Sequence, residues 1–113
     1  MRQKLIVFIV SFLPLLASAA NVSVGQDGAR FVPSDITIPL GETVNWTWVG
    51  NNHSVTSGTQ FNADGIFDSG IRNVGFHFSF TPSVTGTYPY YCTVHGSMMT
   101  GVVNVTTSPF ATS

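Results

Sequence analysis

Lysine occurs once in this 113-residue chain, at Lys4, and cysteine once, at Cys92. Only 8% of the residues are charged, and the basic ones are Arg2, Lys4, Arg30 and Arg72. Nucleic-acid binding normally needs a basic footprint, so it is excluded as an expectation. A single cysteine cannot close an internal disulfide, which leaves the thiol needing another explanation if the chain is exported. Helical periodicity is hard to find, and so is any internal repeat, low-complexity segment or linker.

The only long apolar run is at the N-terminus. Arg2 and Lys4 precede Leu5 to Leu16, the run is broken at Pro14, and Ala17-Ser18-Ala19 follows as an A-x-A cleavage site. This is signal-peptide architecture, and the run is too short to span a membrane comfortably. Residues 1–20 are therefore expected to be removed, with the cut after Ala19 or Ala20. The product is exported to a periplasm or the extracellular medium, since a signal peptide does not distinguish the two. No cysteine follows the apolar run to carry a lipid, and the tail from Thr106 to Ser113 is polar, so no stable membrane insertion is expected after cleavage. Residues 21–113 then form a single domain with a short polar tail, large enough for one core. Arg30 and Arg72 face five acids there, a formal charge of −3.

What the mature chain has in abundance is alternation. Val22 and Val24, then Ile36, Ile38 and Leu40, then Val44, Trp46 and Trp48 each share one phase. So do Phe76, Phe78 and Phe80, then Tyr88, Tyr90 and Cys92, and finally Val103 and Val105. Period-two alternation means strands with one buried face. Turn formers separate them at Gly25–Gly28, Pro33–Asp35, Leu40–Glu42, Gly50–Asn52, Asn62–Gly65 and Pro82–Gly86. About seven short strands at this spacing predict an all-β antiparallel sandwich. Pro89 cannot donate to a sheet ladder and should face an edge or a bulge.

Cys92-Thr93-Val94-His95-Gly96-Ser97-Met98-Met99 places a thiol, an imidazole and two thioethers within eight residues. A second histidine, His53, lies behind the Val44 to Val49 strand. Two His, one Cys and a weak axial Met form the ligand set of a blue-copper electron-transfer site. Taken alone, Cys92 would read as a small buried hydrophobe; its neighbours reverse that. A tight turn after Cys92 would aim Cys92 and His95 at one point, and His53 would join them from another part of the fold.

Phe31-x-Pro33-x-x-Ile36-x-Ile38-x-x-Gly41-x-Thr43-Val44-x-Trp46, Tyr90-Tyr91-Cys92-x-x-His95 and Met99-Thr100-Gly101-x-Val103 resemble the cupredoxin family, with plastocyanin-like and amicyanin-like proteins nearest. The resemblance covers nearly the whole mature domain. It implies a Greek-key β-sandwich of seven or eight strands that binds one type 1 copper ion. It also implies His53, Cys92 and His95 as equatorial ligands and a following Met as the axial one. In plastocyanin-like and amicyanin-like sequences that Met stands two positions before the Gly opening the last strand, which selects Met99; Met98 remains the alternative through a shorter His-x-x-Met loop. Resemblance further implies a clasp between Asn52 and Thr93, with the Asn52 N–H pointing at the Cys92 sulfur. The electron-transfer surface is expected at His95, with Val94 and Met98 around it; Tyr91, on the phase opposite Cys92, reads either as a second surface route or as an ordinary exposed tyrosine.

The function implied is a small carrier passing single electrons between protein redox partners by transient docking, as a monomer and not an enzyme. The alternative is a protein that buffers or delivers copper. A copper enzyme needs more histidines than His77, which lies on the outward phase of its strand and reads as a surface residue. Zinc fits Cys and His, but Met is a poor zinc ligand. Asp64 and Asp68 are too few for calcium and read as loop chemistry. Asn52-His53-Ser54 fits a glycosylation sequon but is too enclosed, so Asn45 and Asn104 are the better acceptors.

Overall fold

A computed structural model describes residues 19–107, and the expected signal segment falls almost wholly outside them. Nine strands follow one another: β1 (Ala19–Gln26), β2 (Arg30–Val32), β3 (Asp35–Pro39), β4 (Thr43–Trp48), β5 (Thr56–Thr59), β6 (Asn62–Asp68), β7 (His77–Phe80), β8 (Gly86–Cys92) and β9 (Gly96–Thr106). They form a four-stranded sheet in the order β2-β1-β4-β7 and a five-stranded sheet in the order β3-β9-β8-β5-β6. Among the described residues there is no helix.

The strand phases set the core. Val44, Trp46 and Trp48 are buried on β4, Val22 and Val24 on β1, Val103 and Val105 on β9, and Tyr90 and Cys92 on β8. Trp46 sits at the centre, its ring 5.4 Å from Tyr90, 5.5 Å from Phe67 and 5.7 Å from Phe78. Edge-to-face and tilted aromatic contacts of this kind add to what burial alone contributes.

Three expectations need correction. The sheets are mixed, not wholly antiparallel: β1 pairs β4 in parallel and β3 pairs β9 in parallel. The cause is alternation between layers, because the chain leaves the first sheet for β3 and re-enters it beside β1, running the same way. Asn62–Gly65 is not a turn but the start of β6, and the actual turn is Gln60-Phe61. The closing strand begins at Gly96, not Gly101, so both methionines lie within it. Pro89 pairs with Val102 and lies just beyond the Tyr90 and Tyr91 positions where β8 meets β5, so its missing N–H falls past the end of that ladder.

Two buried polar atoms have no hydrogen-bond partner, Trp46 Nε1 and Tyr90 Oη. Burial pushes the Tyr90 hydroxyl up to about 12, partly offset by the nearby Trp46 indole N–H. The Tyr90 ring lies directly over Gly101, its partner across the β8–β9 ladder, and a Cβ at Gly101 would stand 2.4 Å from Tyr90 Cζ. Glycine at position 101, on the inward phase of β9, is thus required by an aromatic ring pressed against the backbone.

Candidate metal centre

β8 ends at Cys92, Thr93-Val94-His95 turn, and β9 starts at Gly96 opposite Cys92. Gly96 has φ 59°, a left-handed conformation that glycine adopts without steric cost. The turn brings His95 Nδ1 to 3.6 Å from Cys92 Sγ. His53 arrives from the segment after β4, with Nδ1 at 3.9 Å from the same sulfur. Donor atoms of His53, Cys92 and His95 all lie within 4.8 Å of one another. His53 and Cys92 are buried, whereas His95 is partly exposed.

The backbone of His53 is fixed on both sides. Its N–H donates to Arg72 O at 3.2 Å, and its carbonyl accepts from Arg72 N at 2.8 Å and from the Trp48 indole at 2.9 Å. Its ring rests on two glycines: a Cβ at Gly25 would stand 2.6 Å from His53 Cδ2, and one at Gly50 would stand 3.2 Å from His53 Nε2. The Cδ2–Nε2 edge therefore faces main chain, and Nδ1 is left to face the sulfur. Burial, followed by the neighbouring His95, lowers the His53 pKa, with the Gly28 main chain pulling the other way. Both dominant effects favour the neutral ring that a metal needs.

The cysteine is held through Ser54. Ser54 N–H donates to Cys92 Sγ at 3.4 Å, and Ser54 Oγ accepts the Thr93 N–H at 2.9 Å. The same hydroxyl meets Thr93 Oγ1 at 3.2 Å and Thr56 Oγ1 at 2.9 Å. Thr93 thus takes part in a clasp, but its partner follows His53 instead of preceding it. Asn52 is exposed, with φ 68°, and its N–H goes to Arg72 O and to Asn73 Oδ1, so it does not reach the sulfur. The cause is the short antiparallel bridge between His53 and Arg72, which turns Asn52 away from Cys92.

Met99 is 1% exposed and shares the inward phase of β9 with Gly101, Val103 and Val105; Met98 is 81% exposed. Val94 is 40% exposed beside His95. Tyr91 departs from expectation: it points away from the Cys92 side of β8 yet is only 3% exposed. It pairs with Thr56 and lines a groove with Gly58, Thr59 and Gln60, so the β5–β6 hairpin covers it and no second route opens there. His77 is exposed, with Nδ1 on Thr47 Oγ1 at 3.0 Å.

The donor set fits a metal. Bonds of about 2.0–2.3 Å from nitrogen and sulfur, at angles between tetrahedral and trigonal, separate the donors by about 3.6–3.8 Å. The two sulfur-to-nitrogen distances, 3.6 and 3.9 Å, bracket that range. Copper binding proteins of the plastocyanin/azurin family provide a family model that matches residues 18–106. The chain belongs to that family. It is 31% identical to the chloroplastic plastocyanin of Tetradesmus obliquus, over 82% of this chain and 71% of that one. It is also 31% identical to the plastocyanin of Dryopteris crassirhizoma, over 76% of this chain and 99% of that one. A purple cupredoxin from Nitrosopumilus maritimus superposes with a TM-score of 0.67 at 26% identity, covering 77% and 99% of the two chains. A reduced Cu(I) amicyanin variant superposes with a TM-score of 0.65 at 24% identity, over 78% and 82%, a likeness of fold. Family and donor set together make the resident group of this cupredoxin one type 1 copper.

Sequence reasoning missed Ser54, Gly25, Gly50 and Arg72. Gly25 and Gly50 were legible only as turn residues, and nothing along the chain places Arg72 opposite His53.

Proposed function

We propose that this cupredoxin carries single electrons between protein partners, with His53 Nδ1, Cys92 Sγ and His95 Nδ1 as equatorial ligands and Met99 as the axial one. The observation that carries the reading is a donor set brought to one point, with His53 and Cys92 buried and His95 partly exposed. Copper supplies the one-electron Cu(II)/Cu(I) couple. The protein's part is to hold the donors still: His53 between Arg72, Trp48 and two glycines, Cys92 against the Ser54 N–H. A site that rearranges little between oxidation states exchanges electrons readily. The inward phase and burial of Met99 support it over the exposed Met98.

Electrons leave through His95, between Val94 and Met98, in a transient contact of small area. On this reading the protein makes and breaks no substrate bond: with His53 and His95 used, His77 is the one histidine left in the chain, too few for a second, catalytic copper. Export to a periplasm or the medium, with residues 1–20 removed and 21–113 retained as a monomeric domain, rests on the N-terminal sequence.

Adding Cu(II) to the purified protein should give an intense visible absorption that Cys92→Ser abolishes. Met99→Leu should shift the spectrum and potential and Met98→Leu should not; the opposite result reverses the axial assignment. Val94→Asp should slow electron self-exchange, and an unchanged rate would remove this patch from the account.

A further inference from the structure

The tip of the β5–β6 hairpin breaks a local rule. Gln60 and Phe61 form a two-residue turn between the paired residues Thr59 and Asn62, and Phe61 has φ 58°. A left-handed turn position favours Gly or Asn, and a bulky aromatic residue there is strained by about 1–3 kcal/mol. Core burial does not offset that strain, because Phe61 is 73% exposed. Its ring reaches the ligand turn: a Cβ at Gly96 would stand 3.3 Å from Phe61 Cζ and 3.4 Å from Gln60 Nε2. Gly96 follows His95 directly and is itself buried under these two side chains.

The hairpin is also bent to reach that place. Pairing of β5 with β6 is irregular between Thr56 and Gly58, and Gly58 has φ 120°. A Cβ at Gly58 would lie 2.9 Å from the Cα of its ladder partner Ala63, so this irregular position requires glycine. A strained tip and an exposed aromatic ring thus meet the ligand turn at Gly96.

We propose that Phe61 and Gln60 clamp the His95 turn at Gly96. Phe61 is a positioning residue: it touches no metal donor and acts by limiting how far the Thr93–Met98 turn can lift away from Cys92. The strain at φ 58° is what the clamp costs, and its return is a His95 ring held near the sulfur with or without metal. This inference rests on His95 being a copper ligand only in its second readout, so the first is made on metal-free protein.

Phe61→Asn suits the test, since Asn tolerates the left-handed turn and the hairpin should fold at least as well. In the metal-free protein, amide hydrogen exchange at Met98, whose N–H donates to His95 O, should quicken about fivefold or more. Exchange at Trp46 and Val103 should stay unchanged, and Phe61→Tyr, which keeps the ring, should behave as wild type. In the copper-loaded protein, release of Cu(I) to a bathocuproine chelator should quicken in Phe61→Asn and the visible band should shift. Unchanged Met98 exchange in Phe61→Asn overturns the clamp, as does faster exchange spread evenly over the core. If wild type gives no visible band while Met98 exchange responds, the copper ligand assignment fails and the clamp stands.

Discussion

Replacing Ser54 by alanine removes one oxygen that joins the His53 segment to the Cys92 strand. Ser54 Oγ accepts the Thr93 N–H at 2.9 Å and meets the Thr56 and Thr93 hydroxyls at 2.9 and 3.2 Å. Thr56 keeps its bond to Asp68 Oδ1 at 3.0 Å, and the exposed Thr93 hydroxyl can turn to water, so neither loss costs much. The Thr93 N–H loses its acceptor in a partly enclosed place, and an unmade bond of that kind costs about 1–3 kcal/mol. Taking about 2 kcal/mol, the melting temperature of a domain this size should fall by about 8–16 °C. Urea unfolding of the metal-free protein, followed by tryptophan fluorescence, should show a lower midpoint at unchanged slope. The visible band of the copper form should persist, because the donor to Cys92 Sγ is the Ser54 main chain. Asn52→Gly is the control: its φ of 68° suits glycine and its N–H bonds remain, so stability should stay within about 0.5 kcal/mol. A Ser54→Ala loss below about 0.5 kcal/mol, with a larger loss for Asn52→Gly, would refute the Ser54 clasp.

Gly25→Ala should push the His53 ring from its seat, since the new Cβ would meet Cδ2 at 2.6 Å and Gly50 Cα at 2.8 Å. Copper affinity measured against a competing chelator should fall at least about tenfold, in line with losses on disturbing a ligand's support, and an unchanged affinity would contradict the glycine seat. Gly101→Ala should cost about 3 kcal/mol by overpacking against Tyr90 Cζ and Ser34 O, read as a drop in the urea midpoint. Metal-free protein should lose stability in acid. His53 has its pKa lowered below 6.5 in the folded state, so the unfolded chain takes up the proton first. The contribution is therefore whole above pH 6.5 and is lost as pH falls through the lowered folded value, and His53→Gln should flatten that part of a pH series of urea midpoints.

Much of this architecture is legible in the chain because burial in a sandwich follows a period of two. Trp46 and Trp48 take the same phase as Val44, and Met99 takes the phase of Val103 and Val105, so parity along β9 separates it from Met98. Parity fails where a strand is covered on both faces. Thr56-Ser57-Gly58 is buried although its composition is polar, because Ser57 bonds Phe67 and Asp64 while Thr56 bonds Asp68. Tyr91 lies on the outer phase yet under the same hairpin. The Cys92–His95 turn is local and could be read directly, whereas the choice between Asn52 and Ser54 depends on Arg72, nineteen residues beyond His53 in sequence.

The pairing at the start of β1 bears on the order of events in the protein's life. Ala19 and Ala20 are not loose ends: they continue the parallel ladder, opposite Thr43 and Val44. A peptidase binds its scissile segment extended and unpaired, so if the chain is cut after Ala19 or Ala20, as proposed above, the cut comes before β1 closes on β4. His53 and Cys92 meet where β5 pairs with β8, so the donor set depends on contacts distant in sequence. For the exported protein proposed above, processing precedes the closing of β1 on β4.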